Sequence, residues 1–170
     1  TKPVNASQIL SACKKLLDAR QILKDRMCLD YVAASNRMRE MMATASSYDD
    51  WTQLHVKLSE WDNELDRYFD AGLRKMHEDL RGVCNQEFAK FVETNYSRWV
   101  QDEDDSPTLS VDVVSEYVLP VVQKGEQVFF VVVDCLRLDH WLAITPLLSK
   151  LFHVDQRYHY SILPTATPYS

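Results

Sequence analysis

The chain has 170 residues, 46% of them hydrophobic, only three glycines and a formal net charge of −6. That supplies enough apolar side chain for a sizeable core, and so little glycine favours helices over loops. The negative charge argues against a dominant nucleic-acid surface, which needs a clustered basic patch, and no apolar run approaches the roughly 20 residues of a membrane span.

Asn5 is placed to cap a first helix with Ile9, Leu10, Cys13, Leu16 and Leu17 on one face. From about Arg20 to Gln101 the pattern is helical throughout. Met27, Tyr31, Ala34, Met38, Met41 and Ala45 recur at alternating fours and threes, as do Trp51, Leu54, Leu58, Trp61, Leu65 and Tyr68. Ser46-Ser-Tyr-Asp-Asp50 separates these two stripes and supplies caps and negative charge to the second helix. Gly72 marks a turn, and a third helix aligns Leu80, Cys84, Phe88, Phe91 and Trp99. Three stripes joined by short breaks predict an antiparallel three-helix bundle over residues 20–101. Each stripe is too short, and its flanking charges too irregular, for a dimeric coiled coil. His55 and His77 fall on polar or mixed faces without a second ligand three or four residues on, so neither is a metal candidate. The four cysteines, Cys13, Cys28, Cys84 and Cys135, form no C-x-x-C and fall mostly on apolar faces. They predict buried thiols of a reducing, cytoplasmic compartment.

Residues 102–109 belong to an acidic, proline-terminated stretch that reads as a linker to a last domain, 110–170. Ser110 is expected to cap a helix with Val114, Val118 and Val121 inward, closing between Pro120 and Gly125. Val128-Phe-Phe-Val-Val-Val133 has no polar alternation and reads as a central parallel strand buried on both faces. A helix over Leu138 to Lys150 would turn Trp141, Ile144, Leu147, Leu148 and Leu151 to the sheet, and Tyr158 to Leu163 would be the second strand of a right-handed βαβ unit. Asp134 then stands at a strand's carboxyl end, where open α/β sheets bind ligands. Thr167 before Pro168 has the form of a helix start, a place that can also receive phosphate. Taken singly, both residues are adequately explained as caps. Arg137 is expected to pair with a nearby carboxylate and Asp139 to open the helix, where acids are favoured. His140 and His153 read as packing or surface residues, Cys135 as a packed neighbour, and Thr165 as a turn former.

Together, the strand-end Asp134, the crossover and the P-T-A-T-P of residues 164–168 resemble the alkaline phosphatase superfamily. In detail, D-C-L-R-L-D-H-W (134–141) with S-I-L-P-T-A-T (161–167) resembles its PglZ-type branch. The resemblance implies two zinc ions, with Asp134 as the first metal-binding aspartate and Thr167 as the metal-bound nucleophile toward phosphate or sulfate esters. The physics is compatible: a threonine hydroxyl needs a metal or base to become nucleophilic, and two divalent ions can stabilise attacking and leaving oxygens. At the other end, T-K-P-V-N-A-S-Q-I-L (1–10) resembles the last loop and helix of a response-regulator receiver domain. That implies that Lys2 contacts a phosphorylated aspartate beside a cis Pro3, and that residues 1–19 are the tail of a receiver. By the same resemblances the phosphoacceptor aspartate, with its Mg²⁺, would lie upstream and the remaining zinc ligands downstream, so the chain is expected to be an excised segment.

The expected fold is mainly α with an α/β C-terminal part: a receiver-type last helix, a three-helix bundle, then the first βαβ unit of an alkaline-phosphatase-like parallel sheet. The expected function is that of a cytoplasmic two-component response regulator with a zinc-dependent phosphatase or phosphodiesterase-like output, as in PglZ-containing regulators associated with type IX secretion. A sensor histidine kinase would act on the receiver, phosphorylation would alter domain arrangement or promote a homodimer, and the substrate would be a phosphate ester of nucleotide type. The alternative is a catalytically idle phosphatase-like platform that serves as a protein-interaction and signalling module.

Overall fold

Helix starts in this chain are written in short polar caps, and two of them shape the molecule. The computed structural model describes residues 6–68, 70–101 and 106–165. A first helix, α1 (Ala6–Thr44), is followed by α2 (Tyr48–Tyr68) and α3 (Ala71–Val100). Between α1 and α2 the Asp50 carboxylate accepts the amides of Ser46 and Ser47, each at 3.0 Å, while Asp50 N donates back to Ser47 Oγ at 3.2 Å. This is a reciprocal capping box with aspartate in the usual glutamate's place. At the start of α3, Asp70 Oδ1 accepts from Gly72 N and Leu73 N, and Lys24 of α1 closes on its other oxygen at 2.9 Å. Gly72 therefore lies in the first turn of α3, just past the chain reversal.

The core is the interior of these three helices. Tyr31, Ala34 and Met38 of α1 meet Trp51, Leu54, Leu58 and Leu65 of α2 and Leu73, Leu80 and Cys84 of α3, with Met27, Met41, Ala45, Trp61, Phe88 and Phe91 packed around them. The expected stripes are thus the buried faces, except that Tyr68 at the end of α2 is exposed. α1 is one uninterrupted 39-residue helix, so the boundary drawn at residue 19 falls inside it. Residues 7–26 are exposed, apolar side chains included.

After α3 the chain returns across the bundle. A π-helical turn, Val114–Val118, runs into α4 (Leu119–Gln123). Pro120 has no amide hydrogen, and its ring would crowd the carbonyl one turn back, so the wider turn accommodates it. Gly125, at φ 79°, ends α4: Gly125 N bonds Val122 O and Glu126 N bonds Val121 O, the double closure of a Schellman motif. Ser110 does not cap this helix. Its amide donates to Tyr160 O at 2.7 Å and its Oγ accepts from Ile162 N. The valines expected to face inward are not buried. The last helix, α5 (Leu138–Leu148), packs against α2.

The expected βαβ unit is not seen among the described residues. Among the described residues there is no strand; the one β-type pairing is an isolated parallel bridge, Leu109 to Tyr160. Val128–Val133 has no regular secondary structure and is exposed, Phe129 at 91%. A central parallel strand draws its stability from neighbours on both edges and helices on both faces, and no described segment pairs with this one. For the same reason Ile144, Leu147 and Leu151, expected to cover a sheet, are exposed. The thiols also differ from expectation: Cys84 is buried, whereas Cys13, Cys28 and Cys135 are exposed and free.

Candidate functional site

Asp134 follows the valine run on an exposed turn, where its Oδ1 accepts the amide of Cys135 at 2.8 Å. Cys135 takes φ 58°, the left-handed region that side chains other than glycine avoid at a cost of about 1 kcal/mol. The chain is thereby turned sharply between Asp134 and α5. Three residues on, Arg137 grips Asp139 with both arms of its guanidinium, Nε to Oδ1 and Nη2 to Oδ2, each at 2.9 Å. Asp139 is only 7% exposed and occupies the first turn of α5, where a carboxylate also favours the helix dipole. Both expectations for this pair hold.

α2 reaches this turn directly. Asn63 Nδ2 donates to Asp139 O at 2.8 Å. Beneath lies a polar cleft of about 600 Å³ lined by Asp62, Arg74, His77, Arg81, Arg137 and Asp139, among others. Its floor is a hydrogen-bonded chain through all three bundle helices. Tyr31 OH lies 3.3 Å from His77 Nδ1, and His77 Nε2 is 3.1 Å from Leu58 O and 3.0 Å from Asp62 Oδ1. Because both partners of Nε2 are acceptors, that nitrogen carries the proton and Nδ1 accepts from Tyr31. The other Asp62 oxygen pairs with Arg81. Burial pushes the Asp62 carboxyl upward, but the hydrogen bond from His77 and the charges of Arg81 and Arg137 outweigh it, leaving Asp62 below its ordinary value. Burial, the largest influence on Tyr31, pushes its phenol up to about 12.

The segment leading to Thr167 is held at another point of the bundle. Tyr160 sets its ring against Trp99 at 5.4 Å and Phe88 at 6.1 Å between centroids. Its hydroxyl donates to Tyr48 O at 2.7 Å and lies 3.2 Å from Thr52 Oγ1. Leu163 N donates to Tyr96 OH at 2.6 Å. The peptide that follows, Leu163–Pro164, is cis, and Thr165 is exposed. Thr167, Lys2 and Pro3 lie outside the described residues.

A lone exposed carboxylate has the right chemistry for a zinc ligand but does not make a site. Among the described residues no three His, Cys, Asp or Glu side chains converge to hold a metal ion, at Asp134 or elsewhere. His140 is exposed, its Nε2 3.9 Å from the carboxylate that Arg137 already holds, and His153 is exposed as well. No described helix is long and apolar enough to cross a membrane.

Two family models match the chain. Residues 21–100 match the PorX response regulator linker domain, and residues 113–170 match the BREX system PglZ alkaline phosphatase-like domain. The two matches together are those of a PorX-like regulator with a PglZ domain. No curated protein matches the chain.

The PorX-type linker match coincides with the bundled part of α1 and with α2 and α3, and the PglZ match with the segment that carries Asp134 and Thr167. Every hydrogen bond described above from Asn63, Tyr96 or Thr52 to Asp139, Leu163 or Tyr160 crosses between the two. Nothing in the sequence marked these linker residues, and His77, expected on a mixed face, is buried. The signal for His77 was present, since Leu73, His77, Leu80 and Cys84 follow the spacing of fours and threes that marked the other stripes. Asn63 and Tyr160 carried no such mark.

Proposed function

We propose that this chain belongs to a two-component regulator of type IX secretion whose PglZ output hydrolyses a phosphodiester of nucleotide type. Thr167 is the nucleophile and Asp134 one carboxylate of a two-zinc site. The observation that carries the reading is the succession on one chain of a PorX-type linker and a PglZ segment, with Asp134 directly after a valine-rich run and P-T-A-T-P some thirty residues later. Bound zinc would supply Lewis-acid activation of a hydroxyl and stabilisation of developing negative charge. The chain's own part is to hold the Asp134 turn and the Thr167 segment in register. Lys2 and Pro3 fit the phosphate-sensing loop of a receiver, whose Mg²⁺ and histidine-kinase partner belong to the same reading, as does a phosphorylation-dependent homodimer. Exposed free thiols at Cys13, Cys28 and Cys135 suit a reducing cytoplasm.

The test uses the complete protein: zinc content and zinc-dependent hydrolysis of a simple phosphodiester, in the wild type, Asp134→Ala and Thr167→Val. The expected result is loss of both zinc and turnover in Asp134→Ala, and loss of turnover with zinc partly retained in Thr167→Val. Normal turnover in Thr167→Val would remove Thr167 as the nucleophile. Zinc without any turnover in the wild type would make the output domain an idle platform.

A further inference from the structure

We propose that the linker bundle is a positioning template for the phosphatase-like site, with Asn63 and the Tyr160 socket as the two clamps that fix the Asp134 turn relative to residues 158–165, which lead to Thr167. The inference rests on the reading above that Asp134 and Thr167 act together.

The first clamp is Asn63 on α2, whose amide holds the backbone of Asp139 five residues beyond Asp134. The Arg137–Asp139 fork stiffens the intervening turn, and the buried carboxylate of Asp139 sits against the bundle. The second clamp is the socket formed by Tyr48, Thr52, Phe88 and Trp99, which takes the Tyr160 ring and both bonds of its hydroxyl, seven residues before Thr167. Tyr96 adds a hold on Leu163. Burial raises the Tyr160 phenol, which keeps its hydroxyl a donor.

α2 belongs to both clamps. Thr52 and Asn63 are eleven residues apart on a helix without glycine or proline, so α2 sets the two clamps about 16 Å apart as a stiff ruler. The segment between the clamped residues has little packing of its own to do this. Asp139 is the buried residue of α5, while Ile144, Leu147, Leu151 and Phe152 are exposed, and no strand ladder joins the described residues. Within these residues Trp141 Nε1 of α5 donates to Gln156 Oε1 at 3.0 Å, and the linker sets the rest of the spacing.

The experiment compares the complete protein with Asn63→Ala, Tyr160→Phe and the double variant. Hydrogen exchange is followed by mass spectrometry on peptides covering 134–141 and 158–165, alongside kcat and KM for a simple phosphodiester. Each single variant is expected to speed exchange in its own segment about five- to tenfold, the equivalent of one hydrogen bond. Exchange around Leu54 and Leu58 should not change. Turnover should fall through kcat with KM nearly constant, and further in the double variant, because what is disturbed is the register of reacting groups. Unchanged exchange in both segments overturns the proposal, and so does a loss expressed only in KM. Absence of hydrolysis in the wild type would sink the functional reading instead, and exchange would still decide whether the bundle holds the two segments.

Discussion

At the scale of single residues, Asp62 does most to connect the parts of the molecule. It accepts from His77, pairs with Arg81 and lies in the field of Arg137, so one carboxylate joins α2, α3 and the turn before α5. Replacing it with asparagine leaves a partly buried guanidinium without its countercharge, a loss of about 2 kcal/mol at neutral pH. The pH dependence follows from its depressed folded-state pKa. The stabilisation is complete above the unfolded value, near pH 4, and disappears as pH falls through the lower folded value. Thermal melts at pH 7 and pH 3 should therefore show a penalty for Asp62→Asn that shrinks in acid. An equal penalty at both would mean that the carboxylate's charge is not what matters. The Arg137–Asp139 pair was legible in the sequence because its partners are two residues apart. The partners of Asp62 lie fifteen and nineteen residues away on another helix, a relation that appears only once the helices have packed.

Among the elements, α2 is the hub: it touches α1, α3 and α5 and forms part of both clamps. Its start depends on Ser47 and Asp50, so Ser47→Ala should cost about 1 kcal/mol, read as a shift of about 2–4 °C in melting temperature. No shift would mean that the packed face of α2 suffices to define its start. The helices were readable because each carries its reason in its own residues, in a stripe of apolar side chains and a polar cap. Val128–Val133 was readable only as a composition suited to a strand. Pairing is a relation between distant segments, and β-propensity reports a fit to neighbours more than a backbone preference. The same limit hid the second clamp: Tyr160 looked like one position of a strand, whereas its surroundings come from residues 48, 52, 88 and 99.

For the whole molecule, the unequal distribution of buried side chains predicts where independent folding resides. The core cluster runs from Tyr31 to Cys84, wholly inside the PorX-type linker match. Residues 21–100 on their own should thus be helical and unfold cooperatively in urea, somewhat less stably than the full chain because the aromatic shelf around Trp51 and Phe88 loses Tyr160. A broad, non-cooperative transition would show that the later segments are needed to complete the bundle. The projecting start of α1 has a mechanical consequence. From Met27, its first residue against the core, to Ala6 the helix contains neither glycine nor proline and extends about 31 Å. It is a lever arm without a hinge. A tilt of about 5° where it leaves the bundle moves its tip by about 3 Å over that length. Conversely, a displacement of that size imposed at the tip returns to the bundle as an angle, felt first at the Lys24–Asp70 pair that ties the arm to the start of α3.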